Sequence, residues 1–193
     1  GMAGAASAAT LADDQHIYTF THIDGAGEQT DLPDVFDGKT LVDVQLIRDS
    51  STGVGGCGLT SDGAVGCWGA FGDQDRNPMD YFTSGVTAMT VSMNLIHSGL
   101  WVIHDGAVKR ASRTTTDGGV TYTVGVTVQA LGEIAVDDNL IDVQSGRDAA
   151  CVLTGAGGTH PHSMFCWGFN AQGAVGNGTA TPVTDPVLVT GVT

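Results

Sequence analysis

Four cysteines, six histidines and twenty-one acidic side chains are the residues of this 193-residue chain that are equipped for chemistry. Cys57 and Cys67 are spaced C-x9-C, and Cys151 and Cys166 are spaced C-x14-C. Such pairs could form bridges, hold zinc, or sit as buried thiols. Zinc knuckles are marked by C-x2-C, a spacing absent from both pairs. Asp73, Asp75, Asn77 and Asp80 place oxygen ligands at positions 1, 3, 5 and 8 of a loop, which is how a calcium loop begins. Pro78 stands where an EF-hand needs glycine and no Glu follows at position 12, so the segment reads first as a solvated polar loop. Calcium in another geometry is the alternative, and no other cofactor is expected. His160-Pro161-His162 can bind metal only with ligands from elsewhere, and reads better as an exposed recognition loop. Two acidic groups, one from Asp13 to Asp34 and one at Asp137, Asp138 and Asp142, read as solubilising edges. No G-x-S-x-G elbow, P-loop or H-E-x-x-H motif is present, so no catalytic residue is nominated.

The elements that must carry these residues emerge from self-similarity. Cys57-Gly58-Leu59-Thr60, a short tip, and Val65-Gly66-Cys67-Trp68-Gly69 are answered by Cys151-Val152-Leu153-Thr154, a longer tip, and Phe165-Cys166-Trp167-Gly168. Four residues separate Thr60 from Val65 and nine separate Thr154 from Met164, so the five extra residues fall wholly within Gly155 to Ser163. Strand register survives when only a hairpin tip grows. With Ser61-Asp62-Gly63 as the first tip, Thr60 faces Ala64 and Cys57 faces Cys67 across the ladder. Facing Cα atoms in a non-hydrogen-bonded pair lie about 4.5 Å apart, within reach of a bridge. The predicted pairing is therefore Cys57–Cys67 and Cys151–Cys166, and such bridges belong to an oxidising compartment.

A degraded third copy runs from Leu100 to Ser112, with His104-Asp105-Gly106-Ala107-Val108 overlaying Ser61 to Val65. This overlay puts Leu100 and Arg110 at the cysteine positions. Alternating apolar segments at Leu41–Gln45, Val86–Met89 and Leu140–Gln144 precede the three copies, at a blade-sized period. Each unit reads as a meander of strands that cannot bury both faces of its sheet alone.

Glycine, at 29 residues, and the Thr and Val content favour turns and strands. A net charge of −14 repels phosphate backbones and anionic headgroups, so nucleic acid is not an expected partner. No stretch approaches the roughly 18 apolar residues of a membrane span, so no membrane insertion is expected. The small-residue run from Ala3 to Ala9 resembles a linker or a processed end, and a missing leader does not argue for the cytoplasm.

Residues 166–179, Cys-Trp-Gly-Phe-Asn-Ala-Gln-Gly-Ala-Val-Gly-Asn-Gly-Thr, followed by Pro186-Val187-Leu188-Val189-Thr190-Gly191, strongly resemble the repeat of the regulator of chromosome condensation family. The likeness is specific over 151–193, good over 41–69 and faint over 86–130. It is nearest to secreted bacterial relatives with paired cysteines. The resemblance implies β-propeller blades of four antiparallel strands, in a family whose members form seven-bladed rings. Three repeats and a fraction imply a partial ring, a smaller ring, or a ring completed between copies. The family's nucleotide-exchange role on chromatin uses a basic face and is not carried over. Some propellers of this type act by protein binding alone.

The expected architecture is all-β. Residues 1–37 form an N-terminal segment with one strand at 17–23, and residues 38–193 form a repeat domain of units 38–83, 84–136 and 137–193. Trp68 and Trp167 are expected to pack between blades, with Trp101 placed differently. Asn177-Gly178-Thr179 is formally a glycosylation sequon and also an ordinary turn of the repeat. The expected function is extracellular, non-enzymatic protein binding or scaffolding on a disulfide-stapled propeller, in a secreted or cell-surface setting, with another protein or copies of itself as partner. The alternative is a self-assembling subunit of a filament or ring, completed by strand exchange. A propeller-hosted hydrolase or lyase comes third.

Overall fold

The computed structural model describes residues 8–11, 17–20, 28–29, 33–49, 53–69, 79–92, 99–115, 122–146 and 149–189. They fall into two compact units, residues 1–85 and 86–193. The first holds a small sheet of β1 (Ala8–Leu11), β2 (Ile17–Phe20) and β3 (Glu28–Gln29) in that order. Of the strand expected at 17–23, residues 17–20 are paired and 21–23 lie outside the described residues. Ala8 and Ala9, expected in a linker, pair with Phe20 and Thr19 instead. Small side chains do not prevent a backbone from joining a ladder.

The first unit also holds a four-stranded antiparallel sheet of β4 (Leu41–Asp49), β5 (Gly53–Thr60), β6 (Val65–Gly69) and β7 (Met79–Phe82). The second unit holds two more: β8 (Val86–Ser92), β9 (Gly99–His104), β10 (Ala107–Thr115) and β11 (Tyr122–Val128); then β12 (Leu140–Ser145), β13 (Ala149–Thr154), β14 (Met164–Gly168) and β15 (Val183–Leu188). In every sheet the spatial order of strands is the chain order or its reverse, so each is a meander of one repeat. The fold is all-β with three blade-like sheets.

The apolar alternation that opens each repeat contains the same irregularity three times. The register slips between Leu41 and Asp43, between Val86 and Ala88, and between Leu140 and Asp142. A β-bulge leaves one residue unpaired and turns it outward. That residue is Val42, Thr87 or Ile141, and all three are exposed. The bulge therefore explains two valine-type side chains on the surface that strict alternation would bury.

Both cysteine pairs face each other in the ladder and are bridged, Cys57–Cys67 with Cα atoms 4.0 Å apart and Cys151–Cys166 with 4.1 Å. By chain-entropy arithmetic, bridges over loops of this size stabilise by about 2.7 and 3 kcal/mol. Replacing both members of one pair by Ser is expected to lower ΔG of unfolding by about 3 kcal/mol, measured by urea titration. A shift below about 0.5 kcal/mol would show that the hairpins are held by packing alone.

At the base of each bridged hairpin sits a buried threonine. Thr60 Oγ1 accepts the Ala64 N–H at 2.9 Å and reaches Asp62 Oδ1 at 2.5 Å. Its hydroxyl, with Lys39 at 3.0 Å, holds the Asp62 carboxyl below the ordinary carboxylate range. Thr154 Oγ1 accepts the Ser163 N–H at 2.8 Å and donates to the His160 carbonyl. Because the hydroxyl closes the mouth of the tip, the length beyond it is free to vary.

The third hairpin corrects the sequence overlay. It closes through Asp105 and Gly106 at φ 52° and 73°, as a two-residue type I′ turn requires. This tip shifts the second strand by one residue. Leu100 faces Ala111, not Arg110, and both are fully buried where the other hairpins carry a bridge. Arg110 faces Trp101.

In the first unit, Pro33 and the 3-10 turn Asp34–Phe36 pack into the blade, with Val35, Phe36, Leu41, Ala64 and Trp68 as its core. Trp68 meets Phe36 edge to face at 6.3 Å. In the second unit the core lies between the two blades. Ala88, Trp101, Ile103 and Val108 from one pack on Val143, Val152, Phe165 and Trp167 from the other. The inner strands β8 and β12 run side by side and are tied by hydroxyls. Ser145 N–H donates to Thr90 Oγ1 at 3.2 Å, Ser145 Oγ donates to Val91 O at 3.1 Å, and Ser92 Oγ donates to Gly146 O at 3.3 Å.

Candidate functional site

Outside the paired inner strands, the two blades of the second unit splay apart and leave a groove of about 360 Å³. Two sheets that touch along their inner strands diverge outward, and side-chain volume fills only part of the wedge. Trp101 of β9 and Trp167 of β14 floor it, edge to face with centroids 5.2 Å apart. Arg110 lies over Trp101, its Cζ 6.0 Å from the ring centroid, an arrangement that cation–π attraction favours. Val128 at the end of β11 and Phe169 after β14 stand at the rim, 62% and 53% exposed. Gln129 Nε2 donates to Thr184 O at 3.0 Å and ties the two outer strands across the mouth. The groove is therefore rigid at its floor, apolar on its walls and open at its rim.

Trp167 occupies the inter-blade position expected of it, packing on Trp101 of the neighbouring blade. Its cross-strand partner is Ala150, whereas Trp68 faces Gly56, where a Cβ would come within 2.7 Å of the indole. Neither buried indole N–H has a hydrogen-bond partner among the described residues. Each ring instead meets an aromatic neighbour at a steep angle, 78° for Trp68 and 75° for Trp167.

The extended tip Gly155–Ser163 is the second feature. His160 is not a free recognition residue. Its backbone N–H donates to Asp138 Oδ1 at 2.7 Å, and its Nδ1 lies 2.9 Å from Asp138 Oδ2. Ala135 N–H donates to the same Oδ2 at 2.8 Å, and the Asp138 side chain has no exposed surface. Burial penalises this carboxylate, yet the donors from His160 and Ala135 outweigh burial and hold its carboxyl below the ordinary range. Asp138 thus belongs to no solubilising edge, contrary to the sequence reading; it fastens the tip. Pro161 and His162 are exposed at the turn, and His162 adopts φ 54°.

A carboxyl with a depressed folded pKa stabilises at every pH above its unfolded value of about 3.9, and that contribution is lost as pH falls through the folded value. The tip is expected to keep its order down to about pH 4 and to loosen below it. Amide exchange at His160 and Ser163 across that range measures this, and protection unchanged at pH 2 would refute the role of Asp138.

Of the calcium-loop residues, Asp73, Asp75 and Asn77 lie outside the described residues, and Asp80 Oδ1 accepts the Val35 N–H at 3.0 Å. Among the described residues no three metal-ligating side chains converge. The buried Asn170 organises the loop after β14. Its Nδ2 donates to the carbonyls of Thr179 and Thr181 at 3.0 and 3.1 Å and to Asn177 Oδ1 at 3.2 Å, while its Oδ1 accepts the Val175 N–H at 2.9 Å. Asn177, the sequon residue, has its side-chain oxygen committed inside that turn, to Thr179 N–H at 3.1 Å.

No described helix is long and apolar enough to cross a membrane. The two bridges point to an oxidising compartment. No protein-family model matches the sequence. No curated protein matches it either. Among solved structures, the crystal structure of human WBSCR16 is similar over 94% of this chain, with a TM-score of 0.63 and 17% identity. The match covers 50% of that structure, so this chain spans about half its length. A likeness at that identity speaks to fold and not to activity. Three four-stranded meanders and this match make the fold all-β with blade-like sheets, similar to half of a propeller of the regulator of chromosome condensation type.

Proposed function

We propose that the protein is a non-enzymatic, protein-binding domain of a secreted or cell-surface setting. The inter-blade groove carries this reading: an aromatic floor on rigid sheets with Val128 and Phe169 left exposed at the rim. Buried aromatic pockets with an arginine at the edge are where a partner's apolar anchor side chain contributes most binding energy. The two hairpin bridges support an extracellular setting. A photo-crosslinking residue placed at Phe169 is expected to capture a different protein, and Trp101→Ala is expected to abolish that adduct. Crosslinking equal to that from an exposed control position would defeat the groove as the contact.

One observation favours self-assembly as a second reading. Among the described residues β11 is the outer strand of its sheet, next to β10, and carries Val126 and Val128 47% and 62% exposed. An outer strand with exposed valines is a template for strand addition. Light scattering on a sizing column separates the two. A single 19.7 kDa chain favours the binding domain, and a multimer dispersed by Val126→Lys favours assembly.

A further inference from the structure

The extended tip holds one imidazole ring in a fixed tautomer. Asp138 already takes two backbone N–H groups, and a carboxylate so engaged is an acceptor only. Nδ1 of His160 must therefore carry the proton facing Oδ2 at 2.9 Å, which leaves the lone pair of the neutral ring on Nε2. Phe165 meets the ring edge to face at 5.3 Å and limits its rotation. The His160 side chain is 29% exposed, and its Nε2 has no hydrogen-bond partner among the described residues. One ring nitrogen on a buried carboxylate with the other free is how proteins orient a histidine toward a metal ion.

Two residues on, past Pro161, His162 stands exposed at the same turn. Its backbone is held by an N–H bond to Gly155 O at 3.0 Å and by the left-handed φ of 54°. A single residue, Pro161, separates the two histidines in the chain. We propose that the tip Gly155–Ser163 is a divalent transition-metal site, with His160 Nε2 as the oriented ligand, His162 as the second, and water in the remaining positions. Imidazole suits zinc, copper and nickel, and not the hard ions calcium and magnesium. Two protein ligands make an open, exchangeable site, unlike a closed four-ligand structural zinc centre. This reading is independent of the groove, since it concerns a different end of the same blade.

The test is a zinc titration of the whole chain in chelator-treated buffer, followed by assigned imidazole resonances in proton–carbon spectra. His160 and His162 are expected to shift together along one saturation curve with zinc, and not to move with magnesium. Zinc at any of the other four histidines appears at separate resonances and is not confused with this site. His160→Asn keeps an amide donor where Nδ1 stands, so the clamp on Asp138 persists while Nε2 is lost. That variant is expected to retain the amide protection of the tip and to bind zinc at His162 at least roughly tenfold more weakly. Asp138→Asn, acting through His160, is expected to weaken zinc roughly 10- to 100-fold. Unmoved His160 resonances, or undiminished affinity in His160→Asn, would overturn the proposal and leave His160 as a loop fastening.

Discussion

Trp167→Ala is expected to destabilise the second unit by about 3–5 kcal/mol, the range for removing a buried Trp or Phe from a core. The indole is 4% exposed and forms the centre of the core shared by two blades, against Trp101. Its loss opens a cavity continuous with the groove, which the paired inner strands cannot collapse because their hydroxyl ties fix the blade separation. For a chain of this length the melting temperature should fall by roughly 6–20 °C, at about 2–4 °C per kcal/mol. Trp167→Phe is the control, because it keeps an aromatic ring and removes an indole N–H that has no partner among the described residues. Deleting an unsatisfied donor relieves a cost, so this variant should lose much less. Equal losses for Phe and Ala would assign the stabilisation to the N–H and contradict the packing account.

Asn170→Asp should be as severe at neutral pH, although the two side chains have the same shape. Asn170 is fully buried, and its Nδ2 points at two carbonyls and the Asn177 side-chain oxygen. A carboxylate placed there loses every donor and turns negative charge toward acceptor oxygens. Burying an uncompensated charge costs several kcal/mol. Its pKa in the folded state must therefore rise above the unfolded value of about 3.9. The penalty is then smallest below pH 4, grows as pH rises through the raised folded pKa, and is constant above it. Urea titrations at pH 3.5 and pH 7.5 test this, with wild type as reference. A deficit independent of pH would mean that the loop rearranges and exposes the charge.

Much of the blade architecture was legible because it is written locally. Cys57 and Cys67, Cys151 and Cys166, and the threonines before each tip lie within a few residues of the turn that pairs them. A two-residue side-chain period then fixes what faces what. The same locality misled at Leu100 and Arg110, where the overlay assumed equal tips; Asp105-Gly106 makes a shorter turn and moves the facing residue to Ala111. Asp138 was misread because charge alone does not reveal burial. Ala135 supplies one donor from nearby, but the other two belong to His160, 22 positions away, and only folding brings them together. The groove was not legible at all. Its floor is Trp101 and Trp167, its rim Val128 and Phe169, and its volume depends on how far two sheets diverge, which no periodicity encodes.

The placement of both bridges inside single hairpins bears on how the chain acquires them. Four cysteines admit three pairings. The native one joins residues 10 and 15 positions apart, and each pair is already opposed once its own hairpin forms. Hairpins form in about 1–10 μs, long before thiol oxidation at seconds or slower. Pairing between the two blades would need a loop of some 84 residues or more, from Cys67 to Cys151, to close first. Oxidation therefore follows a conformation that has already chosen its partners, one hairpin at a time. Such a protein needs an oxidant and little help from an isomerase.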